Sequence, residues 1–323
     1  MTHEPSPPLR EWLENELSDN SDYYFVAPYT LRKETPMRKI ALTVAIASTL
    51  ALAACGGDDS ASDTSAAPGG NQTAAECAAG KTLTEGTLTI ATGNPAYSPW
   101  VLNDDPASKE GFEAAVAYAV ATELGFEDSA VTWVRTDFDA AIQPGKKDFD
   151  FNLQQYSITD ERKQTVSFSD SYYTTNQAIV GLDGSAAIGA SLADLKKLKL
   201  GAQVGTTSLA YITDVIQPDS EPLVYDDNAG AKAALEAKQI DAAVFDLPTA
   251  LYVSSVEIEG SSVLGQFPAS DAADADQFGM LFDLDNPLVD CVNIALSTLK
   301  DSGSLDEITA KWLSTEADIP VIK

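Results

Sequence analysis

Histidine and cysteine are scarce in this sequence. His3 is the only histidine in 323 residues, and it lies upstream of a predicted export signal. The mature chain therefore has no histidine that can act as a general acid or base. The sequence contains no His/Cys metal cluster, no Gly-x-Ser-x-Gly motif and no phosphate-binding loop. We expect no cofactor, no metal and no enzymatic activity.

Basic side chains are also few, with 20 Lys and Arg against 49 Asp and Glu and a formal net charge of −29. Such a surface repels phosphate backbones, so nucleic acid is excluded as a partner. The length and a hydrophobic content of 44% indicate a folded chain with room for two domains.

No apolar run reaches the roughly 20 residues that span a bilayer as a helix. The longest, residues 40–54, follows Arg38 and Lys39 and ends at Cys55. This order of basic, apolar and small residues predicts a signal peptide over residues 37–54. The Leu-Ala-Ala-Cys sequence resembles the lipobox of bacterial lipoproteins, which implies a lipid anchor on Cys55. An ordinary secretory cleavage nearby is the alternative.

The segments before and after this signal peptide are expected to have different roles. Residues 1–36 have no assignable role, so we expect Met37 to be the true start. Residues 55–80 are predicted to be a flexible tether, because their first part is rich in Gly, Ser, Asp and Ala. An exported protein gains little from free thiols, so we expect a disulfide between Cys77 and Cys291. Two separate buried thiols are the alternative.

Short β-rich runs alternate with helical periodicity along the rest of the chain, which predicts βαβ units and largely parallel sheets. The predicted strands cover residues 88–92, 131–134, 199–204, 223–225 and 240–245. The predicted helices cover residues 112–124, a segment from 205, and residues 229–238, 288–300 and 305–313, the last opened by a capping box of Ser304 and Glu307.

Open α/β sheets bind ligands at the carboxyl ends of their strands, so the loops after three of these strands are candidate sites. Residues 93–100 contain two prolines and two aromatic rings, which could face a ligand or pack on their own domain. Residues 205–207 open a helix whose N–H groups suit a carboxylate, although they also form an ordinary helix start. Asp246 offers a carboxylate or a simple N-cap.

Residues 157–162, Ser-Ile-Thr-Asp-Glu-Arg, are followed by Phe-Ser-Asp-Ser-Tyr-Tyr at residues 168–173. Together they closely resemble family 3 bacterial solute-binding proteins, the polar amino acid receptors of ABC importers. The resemblance runs from about Leu83 to Leu313, and the sequence motifs of the family follow one another in the same order over that range. It implies a type II periplasmic-binding fold, in which two α/β lobes surround a ligand cleft and two crossover strands join them.

The resemblance also implies lobe boundaries. The first lobe is expected to contain residues 81–182 and 279–323, and the second to contain residues 183–278. The crossovers are expected near residues 180–185 and 277–281.

By the same resemblance, Arg162 would clamp the α-carboxylate of an amino acid bidentately. Its alternative is a surface cation paired with Asp160 or Glu161. Asp246 would take the α-ammonium. The remaining expected ligand-binding residues are Asn94, Tyr97, Trp100, Phe138, Gln155, Ser157, Thr206 and Thr207.

Some positions depart from the family pattern, including Asn94, where an acidic residue is familiar. None of Asn94, Tyr97, Phe138 or Gln155 is basic, so an acidic ligand would lack a partner for its second carboxylate. A polar or cationic amino acid is the expected ligand.

We expect the protein to bind this ligand and deliver it to an ABC transporter permease. We also expect it to be a monomer. It would be extracytoplasmic, anchored by its lipid to the outer face of the cytoplasmic membrane or periplasmic. A dehydratase-like enzyme of related fold and a ligand-sensing receptor domain are the alternatives.

Overall fold

The computed structural model describes residues 72–267, 275–313 and 319–323, all within one unit, Ala66–Lys323. The predicted signal peptide, Cys55 and the tether up to residue 71 lie outside the described residues. Within those ranges, none of the helices has the length and apolar character needed to cross a membrane.

The described residues form strands and helices that alternate along the chain. The strands are β1 (Leu88–Gly93), β2 (Val131–Thr136), β3 (Phe151–Asn152), β4 (Ser167–Phe168), β5 (Tyr173–Thr175), β6 (Gln177–Leu182), β7 (Leu200–Gln203), β8 (Leu223–Tyr225), β9 (Ala242–Asp246), β10 (Ser261–Phe267), β11 (Asp276–Phe278) and β12 (Leu281–Phe282). The α-helices are α1 (Ala74–Ala78), α2 (Phe112–Glu123), α3 (Phe138–Ile142), α4 (Leu192–Leu195), α5 (Thr207–Ala210), α6 (Asn228–Glu236), α7 (Leu247–Tyr252), α8 (Leu288–Asp301) and α9 (Ser304–Trp312). Short 3₁₀ turns cover Leu102–Asp104, Pro106–Ser108, Asp128–Ala130 and Arg162–Gln164, and π-helical turns cover Tyr211–Ile216 and Val253–Glu257.

The first lobe is built on a five-stranded sheet with the order β2-β1-β3-β12-β4. β1 runs parallel to β2 and β3, as the predicted βαβ pattern requires. Its side chains Leu88 and Ile90 are fully buried against α2, α8 and α9. α2 covers the sheet because Phe112, Val116 and Val120 recur at helical spacing and are all fully buried.

The second lobe is built on a five-stranded sheet with the order β10-β6-β9-β7-β8. β7 runs parallel to β8 and β9, while β6 runs antiparallel to β9 and β10. Apolar clusters cover both faces, with Val180 and Leu235 in one cluster and Ile179 and Ile212 in the other. The mixture of parallel and antiparallel strands is common in sheets of this size.

β5 and β11 pair antiparallel and form a separate two-stranded ribbon between the two larger sheets. The first crossover therefore precedes residue 177, and the prediction of residues 180–185 is wrong. Those residues sit within or just after β6, whose alternate side chains are buried on both faces of the second sheet. The assignment of residues 319–323 to the first lobe is also wrong. Val321 bridges to Gln266 in β10, which belongs to the second sheet.

The first described segment is ordered by its own helix and by a disulfide. We predicted a tether as far as residue 80, but residues 74–78 form α1, so this boundary is wrong. Thr73 and Glu76 form a capping box at its start, and Ala74 is buried against the first lobe. Cys77 is joined to Cys291 in α8, which confirms the predicted disulfide.

Candidate ligand-binding site

A cavity of about 390 Å³ lies between the two lobes. It is surrounded by the segments that follow β1, β2, β7, β8 and β9, in agreement with the rule that ligands bind at strand carboxyl ends. All ten predicted ligand-binding residues line this one cavity: Asn94, Tyr97, Trp100, Phe138, Gln155, Ser157, Arg162, Thr206, Thr207 and Asp246.

Arg162 begins a 3₁₀ turn in the first lobe and is 7% exposed. Its two terminal nitrogens donate to backbone carbonyls, Nη1 to Ser157 at 2.7 Å and Nη2 to Gly205 at 2.9 Å. Its guanidinium also lies 5.4 Å from the ring centroid of Phe138. The interpretation of Arg162 as an exposed surface cation is therefore wrong, and Asp160 pairs with Lys163 instead.

Burial lowers the pKa of Arg162, while Tyr156 and then the carboxylates of Asp276 and Asp246 oppose that shift. The guanidinium has five N–H groups, and the two carbonyl contacts leave donors for an anion in the cavity. A planar donor group fixed in this way suits a carboxylate.

Hydroxyl groups from both lobes meet beside Arg162. The oxygens of Ser157 and Thr207 are 3.2 Å apart. Thr206 instead serves as the N-cap of α5, since its hydroxyl accepts from the backbone N–H of Leu209 at 3.1 Å and donates to the carbonyl of Gln203 at 2.8 Å. The Thr206 side chain thus orients the turn, and Thr207 presents the hydroxyl that lies next to Ser157.

Asp246 ends β9 and precedes α7, but its side chain makes no capping hydrogen bond to that helix. One carboxylate oxygen instead accepts from Nε2 of Gln177 at 2.8 Å. Burial first and the neighbouring Asp276 second raise the pKa of Asp246 to about 8, while Gln177 and Arg162 act in the opposite direction. A carboxylate in this environment gains most from a cationic partner.

The aromatic side chains form the walls of the cavity in different ways. Trp100 is 1% exposed and packs edge-on against Phe112, so most of its ring belongs to the core of the first lobe. Phe138 stacks on Tyr156 with ring centroids 4.6 Å apart. Tyr97 is half-buried and lies below Nζ of Lys232, 5.0 Å from its ring centroid.

The indole N–H of Trp100 donates to Oγ1 of Thr249 in the second lobe at 2.9 Å. Thr249→Val keeps the shape of the side chain but leaves that buried donor unpaired when the lobes are closed. We expect ligand affinity to fall about 10-fold, as measured by calorimetry. Thr249→Ser retains the hydroxyl and serves as the control. Equal losses in both variants would show that this bond does not favour closure.

Four aspartates that line the cavity were missed by the sequence analysis. Asp137 and Asp139 follow β2, and Asp226 and Asp227 follow β8. Burial raises the pKa of Asp139, and Arg162 opposes the shift. The strand-end rule could have found all four, had it been applied to the loops after residues 134 and 225 as well as to the three loops chosen.

A buried carboxylate outside the cavity, that of Glu113, positions the cavity-lining residue Gln155. Glu113 in α2 accepts from the backbone N–H of Gln155 at 2.8 Å, from the Gln155 side chain and from the hydroxyl of Tyr172. These bonds hold Gln155 in a left-handed backbone conformation, with φ of 51°. Burial raises the pKa of Glu113 to about 7 despite those three donors.

The described residues include no group of His, Cys, Asp and Glu side chains arranged to hold a metal ion. The site is therefore built from one buried cation, several carboxylates, hydroxyls and aromatic walls. Such a cavity can enclose a small zwitterionic molecule between oppositely charged groups.

Two α/β lobes joined by a crossover ribbon around a polar cavity define a type II periplasmic-binding protein, and solved structures of that class match this chain. Residues 88–315 match the family described as bacterial extracellular solute-binding proteins, family 3, and the chain belongs to that family. The resemblance inferred from residues 157–173 is thereby confirmed.

Relatives and solved structures agree with this assignment. The chain is 28% identical over 222 residues to the "Arginine-binding periplasmic protein" of Mannheimia haemolytica, covering 68% of this chain and 88% of that protein. It is 29% identical over 240 residues to the "Lysine/arginine/ornithine-binding periplasmic protein" of Escherichia coli (strain K12), covering 70% and 87%. The structure of "an ancestral arginine-binding protein bound to arginine" has a TM-score of 0.59 at 30% identity, covering 71% and 99%.

Proposed function

We propose that this protein binds a cationic amino acid between its lobes and delivers it to the permease of an ABC importer. The observation that carries the proposal is the charge of the cavity. Among the described residues that line it, five are aspartates and Arg162 is the one basic residue. A ligand that combines one carboxylate with two cationic groups complements that arrangement, whereas a second carboxylate would face several negative charges.

Each end of the ligand has a partner in this proposal. Arg162, with the hydroxyls of Ser157 and Thr207, would hold the α-carboxylate, and Asp246 would hold the α-ammonium. The aliphatic part of the ligand would lie along Tyr97 and Phe138. Its distal cation would face the aspartates that follow β2 and β8.

The names of the relatives support the same ligand class, since those reported above bind arginine, or lysine, arginine and ornithine. Export through the predicted signal peptide, anchoring by a lipid on Cys55, an extracytoplasmic location and a monomeric state belong to the same proposal. Hinge rotation at the β5 and β11 ribbon would open and close the cleft, and the closed face would engage the permease.

Calorimetric titration with L-arginine, L-lysine, L-ornithine, L-glutamine and L-glutamate tests the proposal. We expect at least one of the three cationic amino acids to bind about 100-fold more tightly than L-glutamate, because the second carboxylate of glutamate is repelled by the lining aspartates. Binding of L-glutamate with comparable affinity would contradict the charge argument. Absence of binding by every amino acid tested would contradict the function itself.

The dehydratase-like alternative makes a different prediction for the same sample. A binding protein returns its ligand unchanged, so we expect the amino acid recovered after long incubation with the protein to have its original mass. Because elimination of water requires a leaving hydroxyl, L-serine and L-threonine are added to this incubation. A product of either that lacks the elements of water would favour the enzyme, with Asp246 as the acid that protonates the leaving hydroxyl.

A further inference from the structure

Gln177 connects two carboxylates through one side-chain amide. Its Nε2 donates to an oxygen of Asp246 at 2.8 Å and to an oxygen of Asp276 at 2.7 Å. Its Oε1 accepts from the hydroxyl of Ser208 at 2.6 Å, which fixes the orientation of the amide. Gln177 is 3% exposed, and both of its N–H groups are directed to carboxylates.

The three residues come from different parts of the second lobe and the crossover. Gln177 begins β6, Asp246 ends β9, and Asp276 begins β11 in the ribbon that joins the lobes. The first sheet contributes no side chain to these hydrogen bonds. Gln177 therefore holds Asp276 beside the carboxylate that faces the cavity.

We propose that Asp276, positioned by Gln177, is a second negative group at the ammonium end of the binding site, so that an amino acid displaces a proton from Asp246 when it binds. The inference rests on the proposed function, because it requires an ammonium ligand beside Asp246. Two carboxylates that share one amide repel each other, and a proton relieves that repulsion in the absence of ligand. The ligand ammonium supplies the same positive charge.

The groups around the pair support this linkage. Arg162 is the cation that faces Asp246. Burial first, and then the negative charge of Asp246, raise the pKa of Tyr172 and of Tyr173. Burial raises the pKa of Asp246, and Asp276 raises it further. Only part of Asp246 is therefore ionised at neutral pH, and the ligand ammonium pairs with the ionised form. We expect ligand affinity to increase as the pH rises from 6 to 8, because more of Asp246 is then ionised.

Titration with L-arginine at pH 7, in phosphate and in Tris buffer, measures the protons exchanged, because the two buffers differ in ionisation enthalpy. We expect the wild type to release about one proton per ligand, since most Asp246 carboxyls are protonated at that pH. Asp276→Asn removes the neighbouring charge, the second cause of the raised pKa of Asp246 after burial, so the release should fall below that of the wild type. Asp276→Glu should restore the release.

Asp306→Asn, an exposed substitution in α9, is the matched control and should release the same number of protons as the wild type. Urea unfolding of each variant shows whether it is folded. If L-arginine binds without proton release, or if Asp276→Asn releases as many protons as the wild type, the inference is wrong while the proposed function stands. If L-arginine does not bind, the titration is repeated with L-lysine and L-ornithine, and if none of the three binds, both the inference and the proposed function fail.

Discussion

Arg162→Ala is expected to weaken the binding of a cationic amino acid by about 100-fold or more, because it removes one partner of a desolvated charge pair. The guanidinium is buried and presents its remaining donors to the cavity. Two of its nitrogens already hold the carbonyls of Ser157 and Gly205, which belong to opposite lobes. The substitution thus removes both the proposed carboxylate clamp and a contact that closes the cleft.

Arg162→Lys separates charge from geometry. Lysine keeps the positive charge but cannot bond two carbonyls and a carboxylate in one plane, so we expect most of the affinity to be lost in this variant too. Lys163→Ala removes the adjacent exposed cation and should bind as the wild type does. The measurement is calorimetric titration of all four proteins. Wild-type affinity in Arg162→Ala would show that the ligand carboxylate lies elsewhere in the cavity.

Much of the fold could be predicted because each element carries its own periodicity. The predicted strand at residues 223–225 coincides with β8, and the helix predicted from residue 112 coincides with α2 to within one residue. The first crossover was misplaced because β6 is apolar on both faces and gives no alternation that marks its start. Its position depends on β9 and β10, which lie far along the chain.

The capping box predicted at Ser304 and Glu307 is wrong for a local reason. α9 begins at Ser304 itself, and its N-cap is Gly303 with φ of 81°. The chain turns from α8 into α9 through that left-handed glycine, which places Ser304 already inside the first turn. The hydroxyl of Ser304 contacts Ser302 instead.

Some residues of the candidate site could be predicted from the sequence, and others could not. Asp246 was predictable because it ends a strand, where ligand-binding side chains gather. Gln177 and Glu113 lie within regular elements and belong to no motif, and only the folded chain brings them to Asp246 and Gln155. Residues that position a binding group through a second side chain leave no local pattern in the sequence.

Removing the disulfide is expected to cause the largest loss of stability. Cys77 and Cys291 are separated by 214 positions, so the bond closes nearly the whole described chain into a loop. Loop entropy for that length corresponds to about 5 kcal/mol of unfolding free energy. Both cysteines are buried, at 6% and 0% exposure, so alanine is the appropriate replacement, since it adds no polar atom to the interior.

Urea unfolding of the Cys77→Ala, Cys291→Ala double variant measures this loss against the wild type. The reductant dithiothreitol provides the matched control, because it should lower the stability of the wild type to that of the double variant and leave the double variant unchanged. α1 packs on the first lobe through Ala74 and Ala78 as well as through Cys77. These apolar contacts keep α1 in place in the double variant, so the measured difference reports the constraint on the unfolded chain. Equal urea midpoints for the double variant and the wild type would contradict the prediction and show that the disulfide has no measurable part in stability.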